Sequence, residues 1–182
     1  LEHPRVRGLA SKLPRFVPGQ PVPVVTLPGI SGQVSGVWSL WRIALVGIAE
    51  PFQRFLPLFF HDDGRLLQPT ARRIWDQLLT VEGTVLSHIK GEESRSLLSR
   101  AMELAGIQGQ TLYQELLEAH ASRLERKRDK TQYSFAMRRQ AIERLGLTEV
   151  RQHRLALLAR EEEEKRAEFT AREQALPELT PL

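Results

Sequence analysis

Between Trp38 and Leu79 the chain reads WSLWRIALVGIAEPFQRFLPLFFHDDGRLLQPTARRIWDQLL, aromatic-rich apolar segments that lead through an Asp-Gly turn into a helix begun by proline. Side chains of this kind, placed this densely, are stable only when removed from water, so the stretch anchors a small core. From Glu92 onward charged helical sequence takes over, with hardly any turn signals. The contrast predicts an α+β fold: a small antiparallel sheet capped by a helix, followed by a long antiparallel helical hairpin of coiled-coil-like character.

Residues Pro4 to Gly36 hold six of the eleven prolines. Their fixed φ and missing N–H groups disfavour helix, so residues 1–36 read as an extended lead-in. A short helix is expected over Arg5 to Lys12, and an edge strand over Val22 to Leu27, where proline is tolerated. Val37 to Ile48 fits either a helical stripe of Trp38, Trp41, Leu45 and Ile48 or a strand buried on both faces. The neighbouring apolar run tips the reading to strand, because it ends in His61-Asp62-Asp63-Gly64, and Asp63-Gly64 is a strong hairpin dipeptide whose glycine accepts positive φ. Leu66 and Leu67 then return antiparallel. Pro69 suits the first turn of a helix that turns Ile74, Trp75, Leu78 and Leu79 to one side. The head therefore spans residues 37–80, a linker follows at 81–91, and the hairpin occupies 92–182.

Within that hairpin, Leu98, Ala105, Leu112, Leu116, Leu124, Phe135 and Ile142 recur near multiples of 3.6, a packing stripe. Gly106 and Gly109 each cost about 1 kcal/mol relative to alanine, which places a kink or break there. Gly146 supplies a stop, Thr148 an N-cap, and a second helix runs to about Gln174 before Pro177. A continuous first helix would extend about 80 Å, too long for so small a domain to cover.

The absence of cysteine removes disulfides, thiolate metal ligands and a thiol nucleophile, and the cytoplasm is the expected compartment. The longest strongly apolar run, Phe55 to Phe60, falls far short of the ~20 residues that span a bilayer. The chain opens at Leu1 without methionine, so a fragment of a longer protein is one reading of it. His3, His61, His88, His120 and His153 are scattered without metal-ligand spacing. His61, Asp62 and Asp63 read as solvated turn residues, and Ser35 and Ser39 lack a nucleophile-elbow setting. No catalytic site and no cofactor are expected in this chain.

Net charge is +4. From Arg123 to Arg144 eight Arg or Lys stand against three acids, and Glu161 to Glu164 form an acidic block soon after. Arg123, Arg126, Lys127, Arg128, Lys130, Arg138 and Arg139, interleaved with Tyr133 and Phe135, are the candidate nucleic-acid-binding residues. The competing reading is a solvated face with i,i+4 pairing. In a hairpin turning at Gly146, Arg126 to Lys130 would lie almost level with Glu161 to Glu164, and that pairing would neutralise the charges a DNA contact needs. Trp38 and Trp41 read as core rather than stacking platforms.

The segments EHPRVRGL, WSLWRI, PLFFHDDGRLLQPTARRIWDQLL and ERLGLTEVRQHRLALL, closing on PELTPL, together resemble the C-terminal region of bacterial Swi/Snf-type, RapA/HepA-like helicase-like ATPases of superfamily two. The resemblance implies an upstream motor that translocates double-stranded DNA with ATP and Mg, to which this region is a non-catalytic appendage. The family's phosphate-binding and metal-binding motifs match no position here. The expected partners are the motor, double-stranded DNA and a protein held by the helical arm, with no membrane; the alternative is a free-standing helical-hairpin interaction module.

Overall fold

The computed structural model describes residues 13–45, 53–81 and 83–182. The helix expected over Arg5 to Lys12 lies outside the described residues. In chain order the elements are β1 (Val22–Thr26), β2 (Gly36–Leu45), β3 (Gln53–His61), α1 (Gln68–Thr80), β4 (Thr84–Ile89), α2 (Gly91–Gln108), α3 (Gln110–Glu143), α4 (Thr148–Glu173) and β5 (Pro177–Pro181). They divide into two compact units, the first within Leu1–Ala44, Gln53–Tyr113 and Glu178–Leu182, the second within Leu45–Phe52 and Gln114–Pro177. This is an α+β fold.

The first unit is built on a three-stranded sheet of order β3-β2-β5, in which β2 and β3 run antiparallel from Gly36 opposite His61 to Ala44 opposite Gln53. Strand pleating sends alternate residues to opposite faces. On one face Val37 and Trp41 of β2 and Leu56, Leu58 and Phe60 of β3 pack with Ala101 and Ala105 of α2. On the other, Trp38, Leu40, Phe55 and Phe59 meet Ala71, Ile74 and Trp75 of α1. The sheet is thus covered on both faces, which is why β2 reads as a continuous apolar run rather than an alternation. Trp38 stacks on Trp75 with ring centroids 5.8 Å apart, and its indole N–H donates to the Ala71 carbonyl at 3.0 Å.

Two glycines are required by the backbone, one by close approach and one by its conformation. A Cβ on Gly36 would sit 2.3 Å from the Phe60 carbonyl oxygen, so the β2–β3 pairing at that point excludes any side chain. Gly64 has φ +88° in the turn after β3, the left-handed region that glycine enters without steric cost. Phe60 and Leu66 form an antiparallel bridge across that turn, which is the return expected from Asp63-Gly64.

Four expectations are corrected. The segment 81–91 is not a plain linker: Thr84–Ile89 forms β4, antiparallel to β1 in a separate two-stranded sheet. The second helix ends at Glu173, before Pro177 as expected, but the residues after it, included in the hairpin span 92–182, form β5 beside β2, with Leu182 N–H donating to the Leu40 carbonyl at 3.0 Å. Leu78 and Leu79 stay exposed, because the sheet-facing side of α1 is the narrow strip Ala71, Ile74 and Trp75. The break between α2 and α3 falls at Gly109 alone; a Cβ there would meet the Ala105 carbonyl oxygen at 2.7 Å and Ile43 Cδ1 at 3.4 Å, whereas one on Gly106 would meet nothing within 4 Å.

Candidate nucleic-acid interface on the helical hairpin

In the second unit, α3 and α4 form an antiparallel hairpin turning at Leu145 to Leu147. Leu116, His120, Leu124 and Phe135 of α3 and Leu158 of α4 are buried. His120 Nε2–H donates to the Arg172 carbonyl at 3.0 Å; the carbonyl can only accept, so this bond selects the ring tautomer. Leu147, not Thr148, occupies the N-cap of α4, and no side-chain cap bond is made there.

The basic residues of α3 sort into two sets. Arg138 clamps Glu161 with two bonds, Nη1 to Oε1 at 2.9 Å and Nη2 to Oε2 at 2.8 Å, and its guanidinium lies 5.6 Å from the centre of the Phe135 ring. Arg139 reaches Glu162 at 2.5 Å, and Arg128 pairs with Glu173. The fork geometry of Arg138 explains why the Glu161 carboxyl is held below the usual glutamate range, the hydrogen bond to Arg138 being the main cause. These three arginines lock the register of the hairpin.

That register differs from the level pairing of Arg126 to Lys130 with Glu161 to Glu164. Arg138 stands 8 residues before Gly146, yet its partner Glu161 stands 15 residues after it. Side chains on a helix lean toward its N-terminus. On α3 that direction is away from the turn and on α4 toward it, so a long arginine meets a glutamate about two turns further from the bend.

The acidic block is therefore engaged elsewhere, and the other basic residues keep their own face. Arg123, Arg126, Lys127 and Lys130 stand at i, i+3, i+4 and i+7 and, with Ala119, line a shallow depression on α3. Arg126 Nε donates to the Ser122 carbonyl at 3.1 Å, which holds the side chain along the helix. Lys127 and Lys130 make no ion pair among the described residues. Lys127 contributes to the lowered pKa of Glu168, after the Lys165 hydrogen bond and the Arg172 charge. Of the two aromatics, Phe135 is buried at 5% exposure and Tyr133 is open at 68%.

Helical phase separates Arg128 from its neighbours, whereas Lys127 and Arg138 share a phase and differ in the α4 acid each faces, Glu168 for Lys127 and Glu161 for Arg138. Arg128 is set off by about 100° per residue from Lys127, enough to turn it to the flank where Glu173 lies. Phe135 and Tyr133 part in the same way. Elsewhere, Asp63 is bound to the Arg65 side chain and backbone and held well below the usual carboxylate range, a turn closure. Among the described residues no three His, Asp or Glu side chains converge as a metal site, and no helix is long and apolar enough to cross a membrane.

No family model, curated protein or solved structure matches this chain.

Proposed function

We propose that the chain is a non-catalytic accessory module of a cytoplasmic, Swi/Snf-type helicase-like DNA translocase, and that the second unit contacts nucleic acid through Arg123, Arg126, Lys127 and Lys130. The observation that carries this reading is the division of labour among the cations: Glu173, Glu161 and Glu162 of α4 are taken up by Arg128, Arg138 and Arg139, and Glu163, Glu164 and Glu168 pair with cations of α4 itself, Glu168 also feeling the Lys127 charge. A row of guanidinium and ammonium groups about 10 Å long, at 1.5 Å of rise per residue, is matched to successive phosphates of a nucleic-acid strand. ATP and Mg belong to the upstream motor in this reading, and the first unit, whose exposed area includes the β1–β4 sheet, is the part that docks to it.

Replacing Arg126, Lys127 and Lys130 together by glutamate tests the contact. Retention on immobilised DNA at low salt is expected to be lost while the far-UV circular dichroism and melting temperature stay close to the parent. Undiminished retention in a folded variant removes this face as the contact.

A second reading, a free-standing protein-interaction module, is favoured by Val150 and Leu157 of α4, 40% and 55% exposed and seven residues apart on one helix face. It predicts concentration-dependent self-association, indifferent to DNA, that Leu157→Glu abolishes in sedimentation velocity.

A further inference from the structure

Tyr133 lies on the same face of α3 as the cations. From Arg126 the positions 130, 133 and 137 follow at i+4, i+7 and i+11, so Lys130, Tyr133 and Met137 continue one row along the helix. Tyr133 is 68% exposed and Met137 45%. No acid stands among residues 119, 123, 126, 127, 130, 133 and 137; Glu118 and Glu125 fall at other phases of the helix, and Asp129, three residues after Arg126 and four before Tyr133, borders the row. The row thus passes from phosphate-seeking cations to an open aromatic ring, with Tyr133 about 4.5 Å of helix rise beyond Lys130.

We infer that this row is a binding track for single-stranded DNA, with Tyr133 as a stacking platform for a base. The inference rests on the nucleic-acid contact proposed above and narrows it. In an intact duplex the base faces are covered by their neighbours, so a ring beside the backbone finds only sugar and groove edges. In a single strand the phosphates and a base face are presented together, within one or two nucleotides of each other. Cations followed by an exposed aromatic are the arrangement that gains from both. Arg and Lys donors read phosphate without a hydroxyl-specific contact, so the track has no device that favours RNA; DNA follows from the proposed DNA translocase.

The test measures fluorescence anisotropy of the full chain with labelled oligo-dT, an abasic strand of the same length, a blunt duplex with the same number of phosphates, and oligo-rU. Tyr133→Ala is expected to weaken oligo-dT binding about tenfold. The same variant leaves the abasic strand and duplex within about twofold, and Tyr133→Phe restores the parent affinity. Tyr133 is exposed, so the fold survives either change, as circular dichroism verifies. Salt-sensitive binding in which Tyr133→Ala matches the parent on oligo-dT overturns the stacking platform while leaving the phosphate contact standing. Tenfold tighter binding of oligo-rU than oligo-dT overturns the assignment to DNA. Absence of salt-sensitive binding to every probe overturns the track together with the contact on which it rests.

Discussion

The two units solve the burial problem in opposite ways. The first hides a sheet between two helices, with Trp41, Ile43, Leu58 and Ala71 all at 1% exposure or less. In the second, Leu116 reaches 1% and Leu158 2%, while Leu124 and Phe135 stay at 5–6%. Alignment there comes from Arg138–Glu161, Arg139–Glu162 and Arg128–Glu173, at the surface of the hairpin. A core covered on two sides dictates side-chain shape at nearly every position. A hairpin held along one flank by ion pairs leaves another flank free to carry a different task, and on α3 that flank is basic.

The sharpest way to break this comparison is in the first unit. Trp41→Ala is expected to cost about 3–5 kcal/mol, because the removed ring leaves a cavity that a sheet packed on both faces cannot close. Leu116→Ala in the hairpin is expected to cost less, about 2–3 kcal/mol, since a two-helix layer relaxes more readily around a lost side chain. Chemical denaturation of both variants decides it; equal costs would erase the distinction between the units.

Next in size, the two glycines around the α2–α3 break should respond with opposite signs. Gly109→Ala meets the Ala105 carbonyl and Ile43 and is expected to destabilise by about 1–2 kcal/mol. Gly106→Ala meets nothing and should stabilise by up to about 1 kcal/mol. Thermal melts of the pair measure this directly.

The smallest effect is expected at Glu161, which is exposed. Its folded pKa lies below the ordinary value of 4.5, so its pairing contributes fully above that pH and is lost as pH falls through the lower folded value. Carboxyl NMR titration should place Glu161 below the ordinary value of 4.5, and Glu161→Gln should flatten the acid limb of the stability curve without moving the neutral melting temperature by much. An ordinary titration of Glu161 would remove Arg138 from its role in the register.

Much of the first unit was legible because its signals are local. The apolar density of Val37 to Phe60, the Asp63-Gly64 turn and Pro69 each act within a few residues, and they place β2, β3 and α1. What escaped is non-local or small. β4 pairs with a strand some 60 residues earlier, and nothing inside Thr84–Ile89 announces that partner. β5 starts at a proline, which is tolerated at the first residue of a strand but reads as a helix stop. Ala71, fully buried, does more of the packing of α1 than the larger Leu78 and Leu79, because small side chains let the helix approach the sheet. At the basic run the residue types were legible and their division was not. The sequence names seven cations, but the phase of each on α3 and the α4 acid that comes level with it decide which of them pair.

The account turns on the claim that the row Arg126, Lys127 and Lys130 contacts phosphate, and the slope of log affinity against log salt concentration for single-stranded DNA measures this most directly. Three contacts predict a slope of about −2.1 for the parent chain, falling toward about zero when Arg126, Lys127 and Lys130 are replaced by glutamine. A slope that the three substitutions leave unchanged would contradict it.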